Sequence, residues 1–175
     1  MKSRRFLAVL LIVLSCLLTG SAACTTDLAQ GTAGAAELEA SLSAAILAEV
    51  NAARARAGLK PLTEQPALAE AARIRAREAA VCWSHTRPDG SPWYTAGTGA
   101  GAAYGENLAK GFPYAAPRRN VDSAAARQHA TKVVAAWLAS PSHADNILSP
   151  DFHYACISTY LDAVGTIYEA MEFAY

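Results

Sequence analysis

The stretch Tyr154-Ala155-Cys156-Ile157-Ser158-Thr159-Tyr160 changes the period of the chain. Upstream, apolar residues recur every three or four positions. Here Tyr154, Cys156, Ser158 and Tyr160 alternate with Ala155, Ile157 and Thr159, the two-residue repeat of a strand. Val164-Gly165-Thr166-Ile167-Tyr168 begins a second extended segment, with Leu161-Asp162-Ala163 between the two, so the tail reads as an antiparallel hairpin. Helices followed by a hairpin make the chain α+β.

Working outward from the hairpin, a helix is expected from Asp122, a good N-cap, to Ala139, burying Val133, Val134, Trp137 and Leu138. Nearer the start, Leu42, Ile46 and Val50 recur every four residues with Glu49, Arg54 and Arg56 among them, and Gly58 can end that helix in the left-handed conformation. After the connector Lys60-Pro61-Leu62-Thr63, Pro66 suits the first turn of another helix, which carries Leu68, Ala72 and Ile74 to about Ala80. Its charges, Glu70, Arg73, Arg75, Arg77 and Glu78, are expected on a wet flank. Residues 84–120 show no sustained period but hold turn signals such as Pro88-Asp89-Gly90 and Phe112-Pro113. An irregular stretch that long in a compact domain is either functional or misread.

The first residues belong to export rather than to the fold. A basic start (Lys2, Arg4, Arg5), an apolar run from Phe6 to Leu18 and the small residues Thr19 to Ala23 form a secretory signal. The run is shorter than the roughly 20 apolar residues that span a bilayer, and no second one follows. Cys24 stands where a lipoprotein carries its acylated cysteine, although Ser21 replaces the usual leucine three positions earlier, so cleavage by an ordinary signal peptidase is an equal alternative. The expected organisation is a signal peptide over 1–23, a flexible linker over 24–37 and one domain over 38–175. The product is secreted, or anchored to the outer face of the membrane through Cys24 alone.

Without residues 1–23 the chain keeps 12 basic against 15 acidic side chains, a net charge of −3. Nucleic-acid binders carry a basic surplus, so none is expected as a partner. Of four cysteines only Cys82 and Cys156 fall inside the domain. In an oxidising compartment they read most simply as a disulfide, with two buried free thiols as the alternative.

Three polar residues stand out near loops: His85 after the second helix, Glu106 in Tyr104-Gly105-Glu106-Asn107-Leu108, and His143 in Ser140-Pro141-Ser142-His143. Imidazoles and a carboxylate suit zinc or acid–base work, while the plainer reading is that each ties irregular backbone through hydrogen bonds. His129 and His153 read as partly buried structural residues, and Trp83, Trp93 and Trp137 as core or cleft wall. Neither Ser84 nor Ser142 sits in a nucleophile elbow.

Together these motifs resemble the bacterial branch of the CAP superfamily (cysteine-rich secretory, antigen 5 and pathogenesis-related 1 proteins), whose module is also called the SCP domain. The matching text runs from Ile46 to Arg54, through Gly58-Leu59, Pro61-Leu62, Leu68-Ala69 and Ser84-His85, to Gly105-Glu106-Asn107-Leu108-Ala109 and Trp137 to Leu148. The resemblance implies an α-β-α sandwich with a central antiparallel sheet and a cleft holding His85, Glu106 and His143, with Asn107 and Ser140 beside them. The family's second cleft glutamate corresponds to Ser140 here, and the usual Trp-Thr-Gln strand to Tyr168-Glu169-Ala170-Met171-Glu172-Phe173. Cys156 stands where relatives commonly have glycine.

Three functions follow as expectations. The first is a non-enzymatic module binding a lipid, a cell-wall fragment or a divalent metal in the cleft. In that reading His85 and His143 hold Zn2+ weakly and reversibly, with water and Glu106 completing the shell. The second is a metal-assisted hydrolase with Glu106 as general base. The third is a protein-interaction scaffold of the cell envelope. Ligand identity and oligomeric state are not legible in the sequence.

Overall fold

The computed structural model describes residues 34–97, 103–111 and 122–175. The signal, the lipidation candidate Cys24 and most of the expected linker lie outside them. Helix α1 spans 34–56. It is already helical at residue 34, four before Leu38, and Ala35 and Ala36 are strong helix formers. Gly58, at φ 74°, turns the chain out of it as the sequence suggests. Helix α2 (Pro66–Val81) follows, then a 3₁₀ turn at Trp93–Thr95 and strand β1 (Gly105–Lys110). Helices α3 (Ser123–Leu138) and α4 (Pro141–Leu148) lead into strands β2 (Tyr154–Leu161) and β3 (Ile167–Ala174).

Two elements escape the sequence reading. β1 lies inside the stretch taken as irregular, and its burial on both faces, from Gly105 to Ala109, hides the alternation that marks a half-exposed strand. α4 is only eight residues long and starts at Pro141, directly after α3. The hairpin forms with β3 beginning at Ile167 rather than Val164, because the Asp162 carboxylate accepts from the backbone N–H groups of Val164 and Thr166 and holds 162–166 as a turn.

The sheet is antiparallel, in the order β1-β3-β2. Side-chain alternation along β3 sorts the layers. Met171 and Phe173 join Ile46, Val50, Val133, Val134, Trp137 and Ile147 of α1, α3 and α4 in the main core. Ala170 and Ala174 turn the other way, where Leu68, Ala72, Ala76 and Ala79 of α2 cover them with Leu108 and Cys156. Helices therefore lie on both faces, an α-β-α sandwich.

The expected Cys82–Cys156 bridge is corrected by this packing. Both thiols are free, Cys82 exposed and Cys156 buried. Cys156 Sγ donates to the Gln65 carbonyl at 3.2 Å, just before α2, whereas Cys82 caps the far end of that 16-residue helix. At 1.5 Å per residue the helix is about 24 Å long, and a disulfide needs Cα atoms within about 7 Å.

Candidate functional site

Glu106 lies near the start of β1, an edge strand, so segments packed beside the sheet can reach its carboxylate. Strand register sets Glu106 opposite Glu172 of β3 and Glu172 opposite Cys156 of β2. The three form one row across the face that α2 covers. Arg75 of α2, fully buried, lies against that row. Its Nε donates to Glu106 Oε2 at 2.6 Å and its Nη2 to Glu106 Oε1 at 3.3 Å. The same guanidinium donates to Glu78 at 2.8 Å and to the Ser84 carbonyl at 2.7 Å. Arg87 closes on Glu78 from the other side. The segment carrying His85 is thus clamped to α2 by ion pairs.

His85 Nδ1 lies 2.7 Å from Glu106 Oε1, and its side chain is 55% exposed. A carboxylate only accepts, so Nδ1 carries the hydrogen and Nε2 is left to the solvent side. His143, on the first turn of α4, has its ring centroid 6.4 Å from that of His85. Asn107 Nδ2 donates to the His143 carbonyl at 3.0 Å, and Asn146 Nδ2 to Asn107 Oδ1 at 2.8 Å, locking α4 to β1. The approach requires Gly105, since a Cβ there would stand 2.7 Å from Asn146 Oδ1. His85, Glu106 and His143 are therefore gathered in one place. Asn107 is fully buried and braces α4, and Ser140 is the N-cap of α4 without a side-chain capping bond.

Electrostatics separates the two carboxyls of the row. Burial alone would raise Glu106, but hydrogen bonds from His85 and Arg75, with the guanidinium charge, outweigh it and hold the carboxyl below its usual range. Glu172 is pushed well above its usual range, first by burial and then by the negative charge of Glu106. Both its oxygens are buried without a hydrogen-bond partner among the described residues. The pair thus divides its charge, with Glu106 favouring the ionised form and Glu172 the neutral one. His143 is shifted down, by burial and then by His85.

Several side chains escaped the sequence reading. Arg75 was expected on a wet flank, yet it lies seven residues after Leu68 and three after Ala72, on the helix's apolar stripe, and that spacing was the available signal. Glu172 shares the parity of Ala170 and so faces α2. Buried Arg54 donates to the carbonyls of Lys60, Ile147, Ser149 and Phe152, binding the segment after α4 to α1. Of the two histidines expected to be partly buried, His129 is fully buried and hydrogen-bonds Glu169 at 2.6 Å, while His153 is exposed. Trp137 lies in the core, its Nε1 donating to the Leu108 carbonyl, but Trp83 is 43% exposed beneath the Lys110 ammonium.

A metal shell completed by Glu106 does not fit this geometry. Arg75 and His85 already engage both of its oxygens. Among the described residues no group of three or more His, Cys, Asp or Glu side chains is arranged to hold a metal ion. Two imidazoles are what this cluster offers a cation.

Fold and site together define an α+β sandwich with a histidine–carboxylate cluster at one sheet edge. The profile of the cysteine-rich secretory protein (CAP) family matches residues 47–166, and the chain belongs to that family. Three solved structures are similar in fold. An extracellular protein with an SCP domain from Bacillus anthracis is 20% identical (TM-score 0.55), with 81% of this chain and 43% of that one covered. An outer surface protein of Borrelia burgdorferi is 19% identical (TM-score 0.52; 73% and 86% covered). A cysteine-rich secretory protein of Staphylococcus aureus is 15% identical (TM-score 0.51; 79% and 40% covered). The chain thus spans less than half the length of the Bacillus and Staphylococcus proteins. No curated protein matches it.

Proposed function

We propose that this is an exported, non-catalytic binding module whose ligand, a lipid or a cell-wall fragment, enters the cleft between His85 and His143. The state of Glu106 carries the reading. A general base needs a free oxygen and a proton affinity near the working pH, whereas Glu106 has both oxygens engaged and its affinity held low. It fixes the ring of His85 and presents Nε2, a binding role. Export is supported by the basic and apolar start of the chain, and by relatives described as extracellular or outer-surface proteins. Anchoring through Cys24 would appear as a diacylglyceryl mass on the mature N-terminus.

A divalent cation such as Zn2+ finds two imidazoles here, below the three or four protein ligands of an established zinc site, so it binds weakly and exchangeably. Calorimetric titration with Zn2+ should give small heats that vanish in His143→Ala; unchanged heats would remove the cleft from consideration. Turnover of a peptide or ester substrate that is abolished by Glu106→Gln would replace the binding reading with a hydrolytic one.

A further inference from the structure

A second site lies away from the histidines. A groove of about 630 Å³ runs along the free edge of β2 between α1 and α2, and none of its lining belongs to the cleft. Its floor is the strand edge itself. β2 pairs with β3 on one side, and on the other its N–H groups point to the groove at every second residue. Three of these are satisfied: Ala155 by the Thr63 carbonyl, Thr159 by Ser43 Oγ and Leu161 by Glu39 Oε1. Between them, the Ile157 N–H has no partner among the described residues. An edge strand capped on both sides of one open position is a pairing slot for another backbone.

The row that would fill the slot is already begun. Thr63 pairs with Tyr154 in the parallel sense, after which Pro66 takes the chain away into α2. Charged side chains stand at both ends of the groove, and at the far end Glu39 is tied through Oε1 to the Leu161 N–H. Glu64 stands beside the start of β2, and Arg77 lies over the ring of Tyr160 near its end, 4.7 Å from the centroid. Neither side chain forms an ion pair among the described residues; Arg73, also at the rim, is taken by Glu70 at 2.6 Å. The strand extends about 17 Å from Ala155 to Tyr160. A four- or five-residue extended peptide lying along it pairs through its backbone at Ile157 alone, since Thr63, Ser43 and Glu39 hold the flanking N–H groups. Alanines of α1 (Ala40, Ala44, Ala48) line the wall and leave room for small side chains.

We propose that this groove binds a short extended peptide with free ends, added to β2 in the parallel sense. Its backbone pairs with Ile157, its ammonium lies at Glu64 and its carboxylate at Arg77. The parallel Thr63–Tyr154 bridge sets the direction. Arg77 is the rim cation that no carboxylate among the described residues holds, and the small-residue wall selects alanine-like side chains. The site is independent of the histidine cleft.

The test is amide NMR of the purified chain with tetra-alanine as the probe. The Ile157 amide should shift and its hydrogen exchange should slow on binding. Amidating the probe's C-terminus, or the exposed substitution Arg77→Gln, should each weaken binding at least tenfold and not add to one another. N-methylation of the probe's central amides should abolish it. The proposal is overturned if the Ile157 amide is fully protected before the probe is added, which would mean that the chain's own N-terminal residues or a second copy fill the slot. It is equally overturned if amidated and free probes bind alike, or if the probe shifts only residues around His85 and His143.

Discussion

β3 carries two fully buried glutamates three residues apart, on opposite faces, and they meet different fates. Glu172 faces α2, in the row that runs through Glu106 to the half-exposed His85. Glu169 faces α1 and α3, where His129 bonds one of its oxygens and the row ends in Ala109 on one side and Thr159 on the other. Burial raises both carboxyls. What differs is the way out. One row ends at an edge residue that solvent-facing histidines can reach; the other ends in an alanine and a threonine that are themselves buried. Both rows end on edge strands. A buried acid therefore joins a site when its neighbour on the edge strand is a charged side chain that an exposed residue bonds, as His85 bonds Glu106, and otherwise remains an internal fastening.

The largest test of this contrast removes the basic partner on each face. Arg75→Met strands ionised Glu106 among Glu78 and Glu172, and should cost about 3–5 kcal/mol, the range for breaking a buried ion pair from one side. His129→Leu leaves Glu169 free to keep a proton, so its cost is that of one unsatisfied buried group, about 1–3 kcal/mol. Denaturant unfolding of both variants measures the difference. Equal losses would break the comparison.

The next effect is smaller and depends on pH. Glu172 has a raised folded-state pKa, so its favourable contribution is complete below the ordinary glutamate value of about 4.3 and is lost as pH rises toward the folded value. Glu172→Gln removes that penalty, and the variant should gain on the parent as pH rises above about 4.3. Glu106 has the opposite sign. Its contribution is complete above about 4.3 and is lost as pH falls through its depressed folded value, so the deficit of Glu106→Gln should narrow in acid. Parallel pH profiles for the two variants would mean that the carboxyls do not divide the charge as described.

Cys156, the third member of the same row, gives a simpler readout. An alkylating agent should label Cys82 in the native protein and reach Cys156 only on unfolding, because burial both hides that thiol and raises its pKa. A reductant should leave the melting temperature unchanged; a drop would restore the bridge.

Much of the fold was legible because the helices obey a 3.6-residue period and the hairpin a two-residue one. β1 was not, since a strand covered on both faces loses its alternation, and α4 was too short to show a period. His85, Glu106 and His143 could be named from sequence, but nothing local brings them together. That is achieved by Arg75, Asn107 and Asn146, two of which were passed over. Arg75 looked like one more charge on a charged helix, although its spacing from Leu68 and Ala72 already placed it on the buried stripe. The second carboxyl beside Glu106 was missed for a related reason. Nothing local marks Glu172, which only strand register brings opposite Glu106.

The smallest expected effect concerns the two imidazoles. His143 is depressed by two causes of unequal weight, burial first and the neighbouring His85 second. His85→Ala removes only the second. In that variant, the His143 ring should still titrate below the ordinary histidine value of about 6.5, but closer to it than in the parent. His85 is more than half exposed but donates to the buried Glu106 carboxylate, so its loss should cost about 1–3 kcal/mol, and the movement is read on the folded protein. A titration of the ring protons decides it. If His143 rises fully to the ordinary value, the neighbouring ring rather than burial sets its charge. If His143 does not move, the rings do not sense each other at 6.4 Å, and no ligand is shared between them.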